Sequence, residues 1–462
     1  MKTNKADMVY CDQFEYLKNN VINHGLCTHC GTCAGLAGGA LNMIETASGP
    51  LPVLNRGNET LKDPLIYDAC PGKGLSYPEL NRYVFGKTPE NMLLGTCRAL
   101  YVGYSRDRVI RKNSASGGIV SQVLIYLLQQ KMIDGAVIVQ MCNDTPWLAR
   151  PVIAHTPADI LDGGQSVYTP VPVNTILAQI QAFDGRLAFV GTPDQVASIR
   201  YLQMRRYEPA LKIKYIIGLY VGTLMYIGAV ESFLKSNRVQ SLSEIRSLKY
   251  RDGEWPGYLK IELKDGNVLT AKKFYYNYLI PFYITQSSLL SVDFTNELTD
   301  ISVGDAWSPR YIRQGMGFSV AAARSEKGVE LLRAMQTEKC IELSAISPDH
   351  AMAMHAHMLD FKKRGAFIRF KIRKALGMKH PDFGYSPVRI PKKRILIEIL
   401  IYCLFALGKR PVFRKLVQHI PPRILGPKFD VLRYKWKSLS RRTKRSGLEQ
   451  QRFKEQGIPH DP

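Results

Sequence analysis

Three cysteines separated by two residues each are the feature that most constrains how this chain can fold. They are Cys27, Cys30 and Cys33, and a fourth, Cys70, follows later in the sequence with Pro71 directly after it. This spacing wraps a loop of thiolates around one centre and is typical of bacterial 4Fe–4S sites. Zinc also binds four cysteines, although usually as two separate pairs, and coincidental spacing is the third alternative. We predict one 4Fe–4S cluster with these four cysteines as metal ligands.

Length and composition indicate a globular protein. The chain has 462 residues, of which 45% are hydrophobic and 22% are charged, enough for two or three domains. These values exclude a fibrous chain, a small disulfide-stabilised protein and a mainly disordered chain. The first seven residues lead into no apolar segment, and no long uncharged apolar run occurs. We therefore expect no secretory signal, no membrane-spanning helix and a cytoplasmic location, where clustered thiols bind metal more often than they form disulfides.

The middle of the chain alternates between strand and helix patterns, which predicts a mixed α/β core followed by a helical C-terminal tail. The predicted strands are 41–44, 99–104, 134–139, 187–193 (ending in a turn), 213–220 and 300–307, with a β-hairpin region at 245–280. The predicted helices are the run that opens at 114–118 and ends near 128, a helix from 195, and the segments 328–337 and 350–375. Arg251 to Gly257 is the predicted hairpin turn. Its arginine could contact an anion, but an exposed surface turn is the preferred interpretation.

The positive charge is concentrated near the C-terminus. The chain carries a net charge of +24, and residues 360–462 hold 27 Lys and Arg against 7 Asp and Glu. Within this region, residues 395–407 are apolar apart from Glu398 and have basic residues at both ends. This pattern predicts either a helix lying in a membrane surface or an ordinary amphipathic helix docked on the body. A nucleic-acid partner is disfavoured because the segment contains no recognisable binding module.

Several motifs, taken in order, carry a resemblance to a known family. They are the cysteine triplet at 27–33, Asp68-Ala69-Cys70-Pro71-Gly72, Arg111-Lys112-Asn113-Ser114-Ala115-Ser116-Gly117-Gly118, Val190-Gly191-Thr192-Pro193 with Gln195, Ile217-Gly218-Leu219, and the segment from Asp293 to Asp305. From Cys27 to about Trp307 the chain resembles the beta subunits of coenzyme F420-reducing hydrogenases and dehydrogenases. That group includes hydroxymethyl chlorophyll a reductase and bacterial homologues encoded near polysaccharide genes.

The resemblance implies a flavoprotein, usually with FAD, that is connected to iron–sulfur clusters. It implies an iron–sulfur segment at 1–95 (loop-rich and ferredoxin-like), a flavin-binding α/β catalytic core at 96–375, and a basic amphipathic tail at 376–462 outside the likeness. The implied flavin contacts are Ser114, Ser116, Gly117, Gly118, Thr192, Pro193 and Gln195. A simple helix cap by Ser114 or Ser116 is the alternative. The candidate proton donors are Asp305, Tyr168 and Asp194, and Asp305 has a turn-stabilising role as its alternative.

Departures from the family pattern are informative. Family members often carry four further cysteines, at positions that correspond here to Asp194, Val221, Ser288 and Ser291. Because all four are replaced, we predict that a second cluster is absent as a unit. Val167 also replaces a frequent lysine, which puts the usual electron-donor or substrate-anion contact in doubt.

These observations lead to one preferred function and two alternatives. We predict an oxidoreductase that passes electrons from a ferredoxin-like donor through one cluster and a flavin to an organic substrate. The resemblance suggests a small-molecule or lipid-linked precursor in polysaccharide biosynthesis as that substrate. The basic tail would then hold the enzyme at the inner face of the membrane. One alternative is a degenerate electron-transfer or scaffold homologue without turnover. The other is chemistry with a true deazaflavin.

Overall fold

The computed structural model describes residues 12–55, 57, 60–272 and 275–456. The first eleven residues, on which the prediction of no secretory signal depends, lie outside this range. Among the described helices, none is long and apolar enough to cross a membrane.

The fold is mixed α/β and is organised around one eight-stranded sheet. Its strands, in spatial order, are β13 (Ile341–Ala345), β3 (Ala99–Ser105), β12 (Ser319–Ala323), β11 (Ile301–Asp305), β7 (Ile213–Leu219), β6 (Leu187–Gly191), β4 (Gly135–Met141) and β5 (Ala149–Ala154). The four strands β11, β7, β6 and β4 run parallel, and antiparallel strands flank them on both sides. Helices cover the sheet, as a parallel centre buried on both faces requires.

Three smaller sheets complete the strand set. They are β1 (Leu41–Ile44) with β2 (Leu51–Leu54), β8 (Ile245–Asp252) with β9 (Tyr258–Leu263) and β10 (Val268–Lys272), and β14 (Tyr385–Pro387) with β15 (Phe453–Glu455). The described α-helices are Gln13–Asn20, Thr32–Leu36, Leu65–Asp68, Tyr77–Phe85, Arg108–Asn113, Ile119–Gln129, Pro157–Asp162, Leu177–Ala182, Pro193–Met204, Glu208–Leu211, Gly228–Ser236, Ile280–Tyr283, Gln286–Leu290, Pro309–Ile312, Glu326–Thr337, Pro348–Asp360, Ala366–Ala375, Lys392–Gly408, Pro411–Val417 and Pro422–Arg445.

Most predicted elements are confirmed to within a few residues. The strand predicted at 134–139 is β4, and the helix predicted to open at 114–118 is Ile119–Gln129. The predicted hairpin at 245–280 is a three-stranded antiparallel sheet. Strand β12 was not predicted, because its Ser-Val-Ala-Ala-Ala sequence has no alternation and contains only one β-branched residue, Val320.

The prediction that Arg251 lies in an exposed surface turn is wrong. Arg251 is only 4% exposed, and its side chain is directed inward from the end of β8. Its guanidinium can be buried because Asp305 on β11 supplies the opposite charge. The following turn, with Gly253 and Glu254, is exposed as expected.

The basic C-terminal segment folds back onto the body. Strand β14 pairs with β15, and the backbone N–H of Tyr77 donates to the carbonyl of Phe383. Helix Pro422–Arg445 contacts both Tyr275–Leu279 and helix Pro348–Asp360. Residues 376–456 are therefore a structured layer of the molecule.

Candidate functional site

A cavity of ≈ 280 Å³ opens where the parallel strands end. Residues directly after β6 and β7, and the last residues of β11, line it. The carboxyl ends of parallel strands are where α/β sheets bind ligands. The predicted flavin contacts and proton donors meet here: Ser114, Ser116, Gly118, Tyr168, Thr192, Pro193, Asp194, Gln195 and Asp305 line the cavity, with Gly117 between two of them.

The Ser-Gly-Gly turn presents a helix N-terminus to this cavity. Helix Ile119–Gln129 begins at Gly118, whose φ of 79° is a conformation that favours glycine, and it has no side-chain cap. Neither serine caps it. The Ser114 hydroxyl donates to the Ile110 carbonyl at 2.7 Å, and the Ser116 hydroxyl donates to the Phe318 carbonyl at 2.8 Å. The uncapped N–H groups of the first turn therefore offer a site for an anionic group such as a phosphate.

The Thr192-Pro193-Gln195 turn forms the floor of the cavity and is fixed by its own hydrogen bonds. The Gln195 amide oxygen accepts from the Thr192 N–H at 2.8 Å, and the amide nitrogen donates to the Val171 carbonyl at 2.8 Å. Proline at the first position of helix Pro193–Met204 suits a helix start. Gln195 therefore holds the turn in place, and the backbone of the turn faces the cavity.

Asp305 is held by two side chains from the β8–β9 region. Arg251 donates three hydrogen bonds to its carboxylate, each of 3.0 Å, and the Trp255 indole N–H donates a fourth at 2.9 Å. Trp255 in turn packs on Trp307, with ring centroids 4.8 Å apart. A carboxylate that accepts this many hydrogen bonds is held in its ionised form. Its geometry therefore favours a role in holding the cavity wall in place over a role as proton donor.

Asp194 and the unpredicted residue Lys362 are two buried titratable groups in the cavity wall, and each influences the pKa of the other. Burial raises the pKa of Asp194 to about 7, although the positive charge of Lys362 opposes the rise. Burial lowers the pKa of Lys362 to about 7, and Asp194 opposes this shift in turn. The Lys362 ammonium donates to the Ser288 carbonyl at 2.8 Å. A carboxyl and an amine that both titrate near neutrality are suited to hold and release a proton.

The four positions that differ from the family's second set of cysteines also converge here. Asp194, Val221, Ser288 and Ser291 all line the same cavity, as does Val167. Ser288 is committed to the backbone, since its hydroxyl accepts from the Leu224 N–H at 2.8 Å. At these positions the lining of the cavity therefore carries hydroxyl, carboxyl and isopropyl groups.

The four predicted cluster ligands line a second, smaller cavity together. The His29 N–H donates to the Cys27 sulfur at 3.4 Å, and the Thr32 hydroxyl lies 3.1 Å from the Cys30 sulfur. Burial raises the pKa of all four thiols, and repulsion between neighbouring thiolates adds to the rise in Cys27, Cys33 and Cys70. In the described part of the chain, no group of three or more His, Cys, Asp or Glu side chains is arranged so that it could hold a single metal ion.

Tight backbone packing fixes this thiol loop. A Cβ on Gly31 would lie 2.7 Å from the Pro172 carbonyl oxygen, and a Cβ on Gly35 would lie 2.2 Å from that of Asn174. Only glycine permits these approaches. The donor set fits an iron–sulfur cluster in its chemistry, because cationic iron relieves the mutual repulsion of buried thiolates that also receive hydrogen bonds.

The two cavities are neighbours. Thr28 lines both of them, and His29 lines the larger one. The Asn174 amide donates to the Thr32 hydroxyl at 2.9 Å and to the Gln195 carbonyl at 3.1 Å. Hydrogen bonds through Asn174 therefore join the cysteine loop to the floor of the large cavity.

Sequence reasoning missed two residues of the site, Lys362 and His29, and set aside a third, Arg251, in favour of a surface turn. Lys362 stands in a basic run that resembles a solvated face. His29 has φ 61°, is buried, and has an Nε2 atom without a hydrogen-bond partner among the described residues. Its position inside the cysteine triplet was the only available signal.

Fold and site define an α/β protein that sets a loop of four thiols beside a ligand cavity at the ends of parallel strands. Two family models match it: "Coenzyme F420 hydrogenase/dehydrogenase, beta subunit N-term" over residues 100–178 and the corresponding C terminus over residues 184–349. The chain belongs to this family.

Similar proteins agree with that placement. A coenzyme F420-dependent sulfite reductase from Methanocaldococcus jannaschii is 24% identical over 72% of this chain, which spans half the length of that relative. The coenzyme F420 hydrogenase subunit beta of Methanosarcina barkeri is 26% identical, with coverage of 54% of this chain and 91% of the relative. A chloroplastic 7-hydroxymethyl chlorophyll a reductase from Oryza sativa subsp. japonica is 26% identical, with coverage of 58% and 57%.

A solved structure supports the fold. One chain of the F420-reducing [NiFe] hydrogenase complex from Methanosarcina barkeri aligns with a TM-score of 0.51 at 22% identity, covering 63% of this chain and 98% of that chain. The relatives are oxidoreductases or subunits of them, so a redox role is supported for this chain.

Proposed function

We propose that this protein is an iron–sulfur flavoprotein oxidoreductase with one 4Fe–4S cluster on Cys27, Cys30, Cys33 and Cys70 and FAD in the large cavity. Electrons would come from a ferredoxin-like protein and leave to an organic substrate. The observation that supports this best is that Thr28 lines both cavities. Groups bound in the two cavities would therefore be neighbours, as electron transfer between them requires.

Different residues of the cavity would hold different parts of a flavin. The uncapped start of helix Ile119–Gln129 suits the phosphates, and the Thr192-Pro193 backbone suits the ring edge. When bound, a flavin couples single-electron and two-electron chemistry. The Arg251–Asp305 ion pair holds the part of the cavity wall at the end of β11 in place.

Asp194 is the proton donor that the geometry favours over Asp305 and Tyr168. Its raised pKa keeps a proton on the carboxyl near neutral pH, while Lys362 and Asp293 set the local charge. Tyr168 lines the cavity and contacts Tyr250, and it is the second candidate. Asp194 would donate its proton to the substrate, and solvent would restore it through the cavity.

Coenzyme F420 is a second candidate for the large cavity or for the reductant. The similarity of the chain to F420 hydrogenase subunits and to an F420-dependent sulfite reductase favours it. A lipid-linked or polysaccharide precursor as the substrate rests on the resemblance alone.

The test is anaerobic purification of the full chain, followed by an absorption spectrum and measurement of iron, sulfide, zinc and flavin. We expect about four irons, about four sulfides and about one FAD per chain. About eight irons would contradict the single-cluster proposal. Zinc without flavin would overturn the redox assignment, and a cluster without flavin or turnover would indicate the degenerate scaffold. Reduction of the purified protein by reduced F420, but not by reduced ferredoxin, would favour the deazaflavin alternative.

A further inference from the structure

Helix Lys392–Gly408 buries charged residues and exposes aliphatic ones, which is the reverse of an ordinary surface helix. Its outward face carries large aliphatic residues, with Leu396 66%, Leu400 58% and Leu404 54% exposed. Ile399 and Leu407 extend the same face. These positions recur every three or four residues, so they form one continuous stripe along the helix. The outward face is therefore apolar where a soluble helix is normally polar.

The polar face of this helix is directed into the protein and fixed there. Arg394 and Glu398 are completely buried, and they lie one turn apart on the inner side. Arg394 bridges Asp360 and Glu398, both at 2.7 Å. Arg369 pairs with Glu398, and Arg364 pairs with Asp360 at 2.7 Å. This network of buried ion pairs determines the rotation of the helix and leaves its aliphatic stripe facing outward.

Basic residues border the stripe, and the apolar surface continues beyond it. Exposed Lys392 and Lys393 lie at one end, and exposed Arg410 and Lys415 lie at the other. The next helix, Pro411–Val417, adds the exposed side chains of Val412 and Leu416. From residue 392 to residue 416 the sequence contains one acidic residue, Glu398, and that one is buried.

We propose that this stripe, together with its basic borders, docks on an anionic lipid bilayer. An aliphatic face of this kind is stabilised by entering the acyl boundary, and the lysines and arginines at its ends would meet lipid phosphates. Charge complementarity favours an anionic bilayer over a second copy of the chain, because two such faces would bring their basic borders together. The ion pairs hold the opposite side of the helix on the body, so only the outward face enters the lipid.

The test is co-sedimentation of the full chain with vesicles of equal parts phosphatidylglycerol and phosphatidylcholine, and with phosphatidylcholine alone. We expect binding to the anionic vesicles, with an affinity at least about tenfold lower in the triple variant Leu396→Gln, Leu400→Gln and Leu404→Gln. The variant Lys392→Gln with Lys393→Gln should weaken binding by about tenfold or more. Both variants alter exposed side chains, so the fold is expected to persist, and circular dichroism checks this.

A matched triple variant, Val109→Gln, Leu211→Gln and Ile312→Gln, changes exposed aliphatic residues elsewhere and should bind as the unmodified chain does. The proposal is overturned if the unmodified chain does not sediment with anionic vesicles, or if the stripe variant binds equally well. It is also overturned if sedimentation velocity shows a dimer that the stripe variant dissociates while lipid binding is absent, since the occupant would then be a second copy. None of these readouts depends on cofactor content.

Discussion

At the scale of single residues, Asp194 and Lys362 lie in the cavity wall at a cost in stability. The raised pKa of Asp194, from 3.8 to about 7, means that its stabilising contribution is present at low pH and is lost as the pH rises through about 7. The lowered pKa of Lys362, from 10.5 to about 7, means that its contribution is present at high pH and is lost as the pH falls through about 7. The pair therefore stabilises the fold least near pH 7.

We predict that the double variant Asp194→Asn with Lys362→Met is more stable than the unmodified protein near neutrality, by about 1–4 kcal/mol. The gain should shrink at about pH 5 and about pH 9, as the signs above require. Urea unfolding under anaerobic conditions at the three pH values measures it. A gain that is independent of pH would contradict the assignment, and a stabilised variant that keeps full turnover would show that the pair is not the proton source.

Gly118 carries a separate prediction at this scale. Gly118→Ala forces a side chain into a left-handed backbone conformation, and the new Cβ would lie 3.2 Å from the Cα of Arg111. We expect the affinity for flavin to fall about tenfold, because the first turn of the helix shifts away from the cavity. Titration of the flavin-free protein with FAD measures this. Gly86→Ala is the control, since Gly86 has a φ of 73° and open space around it; an equal loss in that variant would mean that backbone strain alone is responsible.

At the scale of elements, the buried ion pairs beneath helix Lys392–Gly408 are essential to its position. Glu398→Gln leaves Arg369 and Arg394 buried with less negative charge around them. We predict a loss of about 3–5 kcal/mol in the free energy of unfolding. The control is Glu326→Gln, which breaks the exposed pair with Arg98 and should cost less than about 1 kcal/mol. Equal losses in urea unfolding would show that the buried network does not hold the helix.

The elements also show what sequence reasoning could and could not reach. Strands β4 and β6 were predicted because buried parallel strands are uninterrupted apolar runs. The helix near 395–407 was predicted as well, but which of its faces points inward was not. In the sequence Glu398 only interrupts an apolar pattern, and the structure is needed to show that it pairs with Arg369 and Arg394 in the interior. Pairings between residues far apart in the chain, such as Arg251 with Asp305, leave no local periodicity to detect.

The same limit applies to the candidate site. The four cysteines were recognised from spacing alone, and the structure places all four around one cavity. Gly117 and Gly118 were recognised from the family motif. Lys362 was missed because a lysine in a Phe-Lys-Lys-Arg run is normally solvated. Only its burial, with the ammonium on the Ser288 carbonyl and under the influence of the Asp194 charge, makes it part of the site.

At the scale of the whole molecule, the thiol loop and the large cavity are neighbours that share Thr28, and Asn174 bonds to both. The loop packs on residues 172–177, and the cavity, which is built mainly on the ends of the sheet strands, includes His29 and Val173 in its lining. The four cysteines line only the smaller cavity. Loss of the cluster is therefore expected to leave the flavin pocket standing, which makes the proposed order of electron transfer testable.

We predict that Cys70→Ala removes most of the iron but leaves about one flavin per chain, because Cys70 lines the smaller cavity and not the larger one. In this variant a reduced ferredoxin should no longer reduce the flavin at a measurable rate, whereas dithionite still should. Cys142→Ala is the matched control, since Cys142 is half-buried and outside both cavities. Stopped-flow absorbance under anaerobic conditions distinguishes the two. If ferredoxin reduces the flavin equally fast without the cluster, electrons enter the cavity directly, and the four thiols have a structural role instead.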